Sequence, residues 1–361
     1  MRRAGALLGA VLAVGCLGDD ERTPVLGCEA AAGFEVDCQF QNPEDLAPSP
    51  DGRILVSQFG GMEGEVAGNL AIYDPATRAL EVLFPSAGGS LSDPDPSWGD
   101  AACAPPDLER FAPHGIDVAL RRDGRHQLAV VNHGGRESVE LFEVFADGSL
   151  AWRGCVEGPE ESYFNDVVVL SDGGFWVTHM FPRHETLLPL LRARLGMDTG
   201  WVYAWTPGAT MTKLPGTDAP FPNGISRSED ERYVYLNTYS TTGVRKVDVR
   251  SGERVAEREL PSLDNSTWGE DGRLLVASHT GGLGQILACA GLEEGTCGMA
   301  FEILALDPGD LSGDVILRHE GAPMGGATVA LERDGVLYLG SFKGDRIVST
   351  PRSHAAPPLT R

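Results

Sequence analysis

The chain has 361 residues, 42% of them hydrophobic, and a formal net charge of -23 at pH 7. So negative a charge argues against a phosphate-binding face for nucleic acid and against a basic patch that docks on anionic lipid. The 46 glycines and 24 prolines predict many turns between short strands rather than long helices.

The N-terminus has the layout of a bacterial export signal. Arg2 and Arg3 precede an apolar run over 4–14 that is too short to span a bilayer. The small residues before Cys16 resemble a lipoprotein cleavage site, although Ala13 stands where such sites usually carry Leu. Lipidation of Cys16 and plain cleavage with secretion both stay open. We therefore expect a protein that is exported from a bacterial cell, as a lipid-anchored envelope protein or as a periplasmic or secreted one.

Besides Cys16 the sequence contains six cysteines, and an even number in an exported chain predicts disulfide bonds. None has zinc-finger spacing, which argues against a metal–thiolate site. Six cysteines allow 15 pairings. Proximity in the sequence favours Cys28–Cys38 and Cys289–Cys297, and it leaves Cys103–Cys155.

A hairpin pattern recurs six times along the chain. In each copy a short apolar strand leads into a polar turn, commonly Asp-Gly, and a second β-rich strand leaves the turn. The turns lie at Asp51, Asp123, Asp172, Asp230, Asp271 and Asp334. They are about 57 residues apart on average, near the ~40–50 residues of a propeller blade with its loops.

Six such units predict an all-β protein, a six-bladed β-propeller whose blades are four-stranded antiparallel sheets with one short helical insertion. A β-sandwich would not need six equivalent hairpins. We place the propeller at 26–350, after a signal and linker at 1–25 and before a tail at 351–361. The strand at 34–40 is expected to supply the outer strand of the last blade and so close the ring. We expect a monomer.

One insertion, at 179–200, interrupts the β pattern. Its leucines have helical spacing, and they are Leu187, Leu188, Leu191 and Leu195. The segment can be a lid over the channel mouth or a membrane-facing helix. It can equally be a helical loop that packs on the third blade.

Polar residues begin the predicted inner strands, which line the channel of a propeller and converge at one mouth. They are Glu44, Asp45, His114, Asn165, Asp166, Asn223, Asp264 and Asn265. The sixth blade offers no ligand side chain there. Taken singly, each Asn or Asp is explained as a turn-capping residue. The whole set in register favours a metal site.

Hard oxygen ligands of this kind, six to eight in number, suit calcium better than magnesium, which keeps more of its water. Five side-chain oxygens can come from Glu44, Asn165, Asn223, Asp264 and Asn265. A second, deeper calcium can be held by Asp45 and Asp166 with the backbone carbonyl of Ile116. Each site then carries two carboxylates, which balance one divalent cation.

Two histidines of the second blade are expected near the same mouth. His114 begins the inner strand and His133 ends the next strand, which antiparallel pairing brings alongside. Such a pair can activate water as a general base, or it can be a hydrogen-bonded structural pair. His179 and His279 occupy the corresponding strand ends of the third and fifth blades, where they are candidate substrate-pocket residues.

These motifs resemble the calcium-dependent paraoxonase/arylesterase family of lactonases, within the wider SMP-30/gluconolactonase-like propellers. The matching stretches lie at 43–46, 113–116, 131–133, 138–142, 164–167, 222–225 and 263–265. The resemblance implies the same division of ligands, with the first set holding a catalytic calcium and the second a structural one. It also implies that His114 and His133 are the catalytic dyad, and that the insertion is an amphipathic helix beside the active site.

The sequence therefore predicts a calcium-dependent hydrolase of lactones or aryl esters that acts on a small-molecule substrate. One alternative is a non-catalytic surface propeller that binds a partner or ligand, with calcium serving stability alone. Another is a propeller that runs a different reaction, as the strictosidine-synthase-like proteins do. Those proteins lack the full ligand set, which counts against this reading.

Overall fold

A computed structural model describes residues 24–352 other than 63, 87–90, 92–93, 186 and 241. The predicted export signal with Cys16 lies outside these residues, and so does most of the predicted tail. In the part of the chain that is described, no helix is long and apolar enough to cross a membrane.

The described residues form 24 strands and two short helices. In chain order the strands are β1 Glu35–Asp37, β2 Pro43–Pro48, β3 Ile54–Gln58, β4 Asn69–Asp74, β5 Ala79–Phe84, β6 Pro113–Leu120, β7 His126–Asn132, β8 Ser138–Val144, β9 Leu150–Glu157, β10 Phe164–Val169, β11 Phe175–His179, β12 Trp201–Trp205, β13 Thr212–Lys213, β14 Pro222–Arg227, β15 Tyr233–Thr238, β16 Val244–Asp248, β17 Glu253–Arg258, β18 Leu263–Trp268, β19 Leu274–His279, β20 Phe301–Leu306, β21 Gly313–His319, β22 Ala327–Arg333, β23 Val336–Ser341 and β24 Ile347–Pro351. The helices are α1 Leu187–Arg194 and α2 Leu283–Ala290.

The strands build six four-stranded antiparallel sheets, so the predicted six-bladed propeller is confirmed. Five sheets use four consecutive strands, beginning with β2, β6, β10, β14 and β18, and the sixth has the order β1-β24-β23-β22. The first strand of each blade contacts the first strands of both neighbouring blades, so these six strands surround the axis.

The hairpins that join first and second strands follow the turn residues of the sequence. In the sixth blade Asp334 and Gly335 alone connect β22 to β23, and both have positive φ, 50° and 70°. This is the backbone of a type I′ turn, whose twist matches that of the strands it joins. Gly can adopt it without strain, and Asp tolerates it better than most residues.

Ring closure uses the strand predicted for it, with narrower bounds. β1 pairs antiparallel with β24, so that Glu35 lies opposite Ser349 and Asp37 opposite Ile347. A buried arginine, Arg346, supports the segment before β1, because its guanidinium donates to the backbone carbonyls of Val25 and Gly27. The closing edge is therefore covered rather than exposed.

Six buried apolar clusters fill the interfaces between consecutive blades. The cluster between the last and first blades, for example, brings Val329 and Leu331 against Leu46 and Val56. Each blade therefore buries both faces of its sheet against neighbours, and burial of this apolar surface stabilises the ring as a whole.

The insertion contains α1, which is shorter than the predicted helical pattern. Pro189 and Ala193 are buried, whereas the four leucines of the pattern are exposed. Leu190, which the pattern did not single out, packs against Tyr163, Met180 and Phe181.

The second helix, α2, lies between β19 and β20 and was not predicted, so the expectation of one helical insertion was incomplete. A disulfide between Cys289 and Cys297 ties its end to the following loop. The other two disulfides join Cys28 to Cys38 and Cys103 to Cys155. The favoured pairing is thus confirmed for all six cysteines.

Candidate functional site

The first strand of every blade is irregular at the same place, directly after its first residue. The pairing register shifts between residues 43 and 45, 113 and 116, 164 and 167, 222 and 225, 263 and 266, and 327 and 329. In a regular strand, consecutive side chains point to opposite faces. A bulge breaks this alternation and re-aims side chains. The predicted ligands occupy these irregular positions.

Two glycines allow the bulged strands to approach one another closely. A Cβ on Gly115 would lie 2.5 Å from the Cα of Asp166 and 2.6 Å from the carbonyl oxygen of Asn165. A Cβ on Gly224 would lie 2.4 Å from the carbonyl oxygen of Asp264. The second and fourth blades therefore carry glycine where the next blade presents its candidate ligands.

Four oxygens of the candidate ligands at this mouth are buried without a hydrogen-bond partner among the described residues, and they are Oε2 of Glu44 and Oδ1 of Asn165, Asn223 and Asn265. Oδ1 of Asn237, whose Nδ2 donates to the carbonyl of Asp264, is a fifth such atom that was not predicted as a ligand. Buried polar atoms are normally satisfied, so these unsatisfied acceptors together call for an explanation. The first four belong to the predicted set of ligands for the first calcium, and a hard cation is a partner that satisfies oxygen acceptors.

Buried carboxylates surround the same mouth. Burial, followed by the charges of Asp45 and Asp264, holds the pKa of Glu44 well above its usual range. Burial, followed by the charge of Asp45, raises the pKa of Asp264 to about 8. These side chains repel one another when ionised, and a divalent cation would remove that repulsion.

The deeper pair of carboxylates also connects blades. Asp45 accepts hydrogen bonds from the backbone N–H of Leu46 at 2.9 Å and of Ile116, in the next blade, at 2.8 Å. Asp166 likewise accepts from Val167 at 2.7 Å and from Ile225, in the next blade, at 2.9 Å. A carboxylate has about four acceptor sites, so each retains the capacity to bind a cation.

Burial raises the pKa of Asp45 to about 7, and burial with the charge of Asp45 raises the pKa of Asp166.

Beyond these two residues the channel widens into a cavity of about 530 Å³ that reaches Pro48 and Trp268, away from the histidines. In the described part of the chain, no three His, Cys, Asp or Glu side chains form a metal site by themselves. A cation at either position would therefore depend on amide or backbone oxygens as well as carboxylates.

The two predicted histidines are in contact. Nδ1 of His114 lies 2.9 Å from Nε2 of His133, and both rings are buried. On its other side, Nε2 of His114 lies 3.6 Å from Oε1 of Glu44. Burial, with the neighbouring His133 as the lesser cause, lowers the pKa of His114 well below its usual value. Burial therefore favours the neutral form of His114, which adjoins the candidate ligand Glu44.

Two charged residues that the sequence analysis did not single out complete this arrangement. Glu137 lies 3.0 Å from Nδ1 of His133, and Arg183 donates to the same carboxylate at 2.6 Å. Glu137 stands four residues after His133, in the loop between β7 and β8. That spacing was a usable sequence signal, but nothing local identified Arg183, which comes from the insertion.

The other two candidate histidines lie apart from the dyad. His179 packs against Trp201, and its Nδ1 accepts a hydrogen bond of 3.1 Å from the backbone N–H of Tyr163. His279 donates from Nε2 to the carbonyl of Ala327 at 3.1 Å, and its Nδ1 lies 3.7 Å from Oδ2 of Asp264. Burial lowers the pKa of both to about 4. His279 thus adjoins the candidate metal site, whereas His179 supports the start of β10.

Aromatic rings in mutual contact extend around the mouth from the dyad. Successive neighbours have ring centroids 4.7 to 6.0 Å apart, and they are Phe59 with His114, His133 with Tyr163, Tyr163 with Phe181, Phe181 with Phe221, Phe221 with Tyr239, Tyr239 with His279, and His279 with Phe342. An apolar wall around a few converging polar groups is typical of a small-molecule site.

The fold is shared with solved structures of low sequence identity. A gluconolactonase from Xanthomonas campestris is 17% identical with a TM-score of 0.51, over 91% of this chain and 94% of that one. A luciferin-regenerating enzyme is 13% identical with a TM-score of 0.52, over 88% of this chain and 95% of that one. At these identities the similarity concerns the propeller fold alone.

Curated relatives share more sequence over shorter stretches. Serum paraoxonase/arylesterase 2 of Gallus gallus is 30% identical over 132 residues, 36% of this chain and 37% of the relative. Human serum paraoxonase/arylesterase 1 is 31% identical over 216 residues, 58% of this chain and 55% of the relative. The match therefore spans a little over a third of the first of these proteins and about half of the second.

The family described as Arylesterase matches residues 101–344, which is more than half of the chain. This stretch runs from before β6 to just before β24 and contains both histidines of the dyad, Asn165, Asn223 and Asn265. The chain belongs to the arylesterase family.

Proposed function

We propose that this protein is a calcium-dependent hydrolase of lactones or aryl esters, with its site at the mouth formed by the bulged strands. The observation that carries the proposal is the set of four unsatisfied oxygens, from Glu44, Asn165, Asn223 and Asn265, beside a buried histidine pair. The names of the curated relatives support the same class of reaction.

The first calcium would be held by these four residues and Asp264, and the second by Asp45, Asp166 and the backbone carbonyl of Ile116. A calcium ion bound at the first site supplies a Lewis acid for the carbonyl oxygen of an ester or lactone. The aromatic wall would hold the apolar part of the substrate and exclude bulk water, which strengthens electrostatic interactions within the site.

His114 would act as the general base. Its Nε2 lies 3.6 Å from Oε1 of the candidate ligand Glu44, whereas its Nδ1 is engaged by His133. As the O–H bond of the attacking water breaks, the proton passes to Nε2 of His114, the electron pair forms the new C–O bond at the carbonyl carbon, and the C=O π pair moves onto the carbonyl oxygen. When that pair re-forms the C=O bond, the ester or lactone C–O bond breaks, and the departing oxygen takes the proton from His114. His133 would stabilise the positive charge that His114 acquires.

The three disulfides support an exported protein, because such bonds persist in oxidising compartments. Cleavage of a signal, lipidation of Cys16 and a monomeric state stay predictions.

The proposal is tested by hydrolysis of a lactone panel and of phenyl acetate, first with calcium, then with chelator, then with calcium restored. We expect activity that is lost on chelation, recovered with calcium, and abolished in His114→Gln and Asn165→Ala. Activity that is indifferent to chelator or to both substitutions would overturn the proposal. Chelator-sensitive melting without turnover on any substrate would favour the non-catalytic alternative.

A further inference from the structure

We propose that Glu137 is a positioning residue that fixes the tautomers of both histidines, so that His114 presents an unprotonated nitrogen to the attacking water. This inference deepens the proposed function and rests on it. It makes the functional unit a chain of three side chains, anchored by an arginine of the insertion, rather than a histidine dyad.

The carboxylate of Glu137 is enclosed by donors. Its oxygens lie 3.1 and 3.0 Å from Nδ1 of His133. Oε1 also accepts a hydrogen bond of 2.6 Å from the backbone N–H of Phe164, and Oε2 accepts one of 2.6 Å from Arg183. The side chain is only 8% exposed, so water screens these contacts weakly.

The protonation state of Glu137 follows from its partners. The Phe164 amide and the Arg183 guanidinium can only donate, and the third partner is a ring nitrogen that can donate as well. An ionised carboxylate accepts all three hydrogen bonds and forms an ion pair with the guanidinium of Arg183, whereas a protonated one would lose that ion pair. Glu137 is therefore an acceptor, and Nδ1 of His133 carries a hydrogen.

The tautomers of both rings follow in turn. A neutral His133 with its hydrogen on Nδ1 has a lone pair on Nε2, the atom that lies 2.9 Å from Nδ1 of His114. That contact requires the hydrogen to be on Nδ1 of His114. The lone pair of His114 then lies on Nε2, which faces Glu44.

The loop that carries Glu137 is held on both sides. The side chain of Asn132 accepts from the backbone N–H of Ala112 at 3.0 Å and of Gly134 at 3.1 Å. Gly134 packs so tightly that a Cβ there would lie 1.6 Å from the carbonyl oxygen of Arg110. The position of Glu137 relative to His133 is therefore set by the fold.

Arg183 connects this loop to the insertion. Besides its contact with Glu137, it donates to the backbone carbonyl of His133 at 3.1 Å and lies over the ring of Tyr163, 5.6 Å from the ring centroid. Arg183, from the segment before α1, thus donates hydrogen bonds to both residues of the Glu137–His133 contact. This gives the insertion a role in ordering the dyad that does not depend on its exposed leucines.

The chemical consequence concerns charge. When His114 gains a proton at Nε2, its Nδ1–H can pass to Nε2 of His133, and the resulting imidazolium lies beside the ionised Glu137. A carboxylate in this place both selects the tautomer and stabilises the imidazolium, the role that the third member has in catalytic triads. Without it, His133 can rotate or change tautomer, and His114 loses its directed lone pair.

The test compares Glu137→Gln with Glu143→Gln in the full chain. Glu143 is a matched control on β8, because its carboxylate is also bound to an arginine, Arg153, but lies away from the dyad. We expect Glu137→Gln to lower kcat about 10- to 100-fold with little change in KM, as loss of a partner that orients a histidine typically does. Glu143→Gln should keep the wild-type kcat and KM.

A second arm needs no turnover. Nitrogen NMR of histidine-labelled protein, with the His133 signals assigned by their absence from His133→Gln, should show His133 protonated on Nδ1 and not on Nε2. Glu137→Gln should change this pattern and Glu143→Gln should not. An unprotonated Nδ1 in the wild type would overturn the inference, even if the variant does not fold.

The two proposals fail in distinguishable ways. Wild-type hydrolysis with an unchanged kcat in folded Glu137→Gln would overturn the role of Glu137 and leave the proposed function standing. An NMR pattern as expected, in a wild type that hydrolyses no lactone or ester, would overturn the proposed function and leave the positioning contact standing.

Discussion

Asn265 donates a hydrogen bond of 2.8 Å from Nδ2 to Oε1 of Glu44, which joins the fifth blade to the first across the channel mouth. The same contact leaves Oδ1 of Asn265 and Oε2 of Glu44 without partners among the described residues. The amide and the carboxylate thus orient each other, and each keeps one oxygen free to accept from another partner. Such mutual orientation is what a preorganised ligand pair requires.

The first prediction concerns this pair. Asn265→Ala removes one oxygen ligand and the donor that orients Glu44, so we expect calcium affinity to fall about 10-fold or more. Calorimetric titration of metal-free protein with calcium measures the change. Asn69→Ala is the control, since the side chain of Asn69 accepts a hydrogen bond from Gln58 and is not one of the candidate ligands. Equal affinities in Asn265→Ala and the wild type would remove Asn265 from the ligand set.

The second prediction concerns pH in chelator. Burial raises the pKa of Asp45 to about 7 and that of Asp264 to about 8, above the value of about 4 expected in the unfolded chain. The folded state then binds more protons than the unfolded state in this window, so the metal-free fold loses stability as pH rises from about 4 to 8.

Bound calcium should offset this loss of stability at higher pH, because the cation favours the ionised form of the carboxylates. The difference in melting temperature between calcium-loaded and metal-free protein should therefore widen as pH rises through this window. Thermal unfolding at several pH values, with calcium or chelator, measures it. A constant difference across the window would show that these carboxylates do not face the cation.

The third prediction concerns backbone packing. Gly115→Ala places a methyl group 2.5 Å from the Cα of Asp166, and backbone atoms cannot move away as a flexible side chain can. We expect a loss of about 1–3 kcal/mol in the free energy of unfolding, with weaker calcium binding, because the strand that carries Asn165 and Asp166 must shift.

Gly282→Ala is the control for that substitution, because a Cβ there meets no atom within 4 Å and its φ is −75°. It should change the free energy of unfolding by no more than about 0.5 kcal/mol. Similar losses in the two variants would contradict a specific effect of the close approach at residue 115, because the loss of glycine's flexibility in the unfolded state stabilises both variants rather than destabilising them.

The fourth prediction ranks two disulfides. Cys103–Cys155 closes a sequence separation of 52 residues and Cys289–Cys297 one of 8, and all of these cysteines but Cys103 are buried. In the chain-entropy model, removing the longer link by paired substitution to Ala should cost about 1.5 kcal/mol more than removing the shorter. Denaturant unfolding of the two double variants measures the difference, and a reversed order would contradict the ranking.

The features that the sequence predicted are those encoded locally. Each hairpin is specified by an apolar strand and a polar turn within about a dozen residues, as at Asp334 and Gly335, so the blades and their order followed. The histidine contact also followed, because antiparallel pairing alone brings the end of β7 beside the start of β6.

The features that escaped prediction depend on contacts between distant segments. The bulge that carries Asn165 and Asp166 lies where the neighbouring inner strand approaches closely at Gly115. In the sequence, the only sign of it was that two polar residues are adjacent. Arg183 reaches Glu137 across 46 residues of sequence. The helix α2 has only eight residues, and so short a stretch does not show a helical repeat of apolar residues that distinguishes it from a loop.

The pairing of β1 with β24 has a kinetic consequence. The hydroxyl of Thr350 reaches the carbonyl of Gly33 across 317 residues, so the last blade is completed only by joining segments near opposite ends of the propeller. A contact of such long range carries a high loop-closure cost and is expected to form late in folding. A circular permutant that joins the end of β24 to the start of β1 through a short linker would make this contact local. Opened between the first and second blades, it should fold to the same ring with a faster closing step.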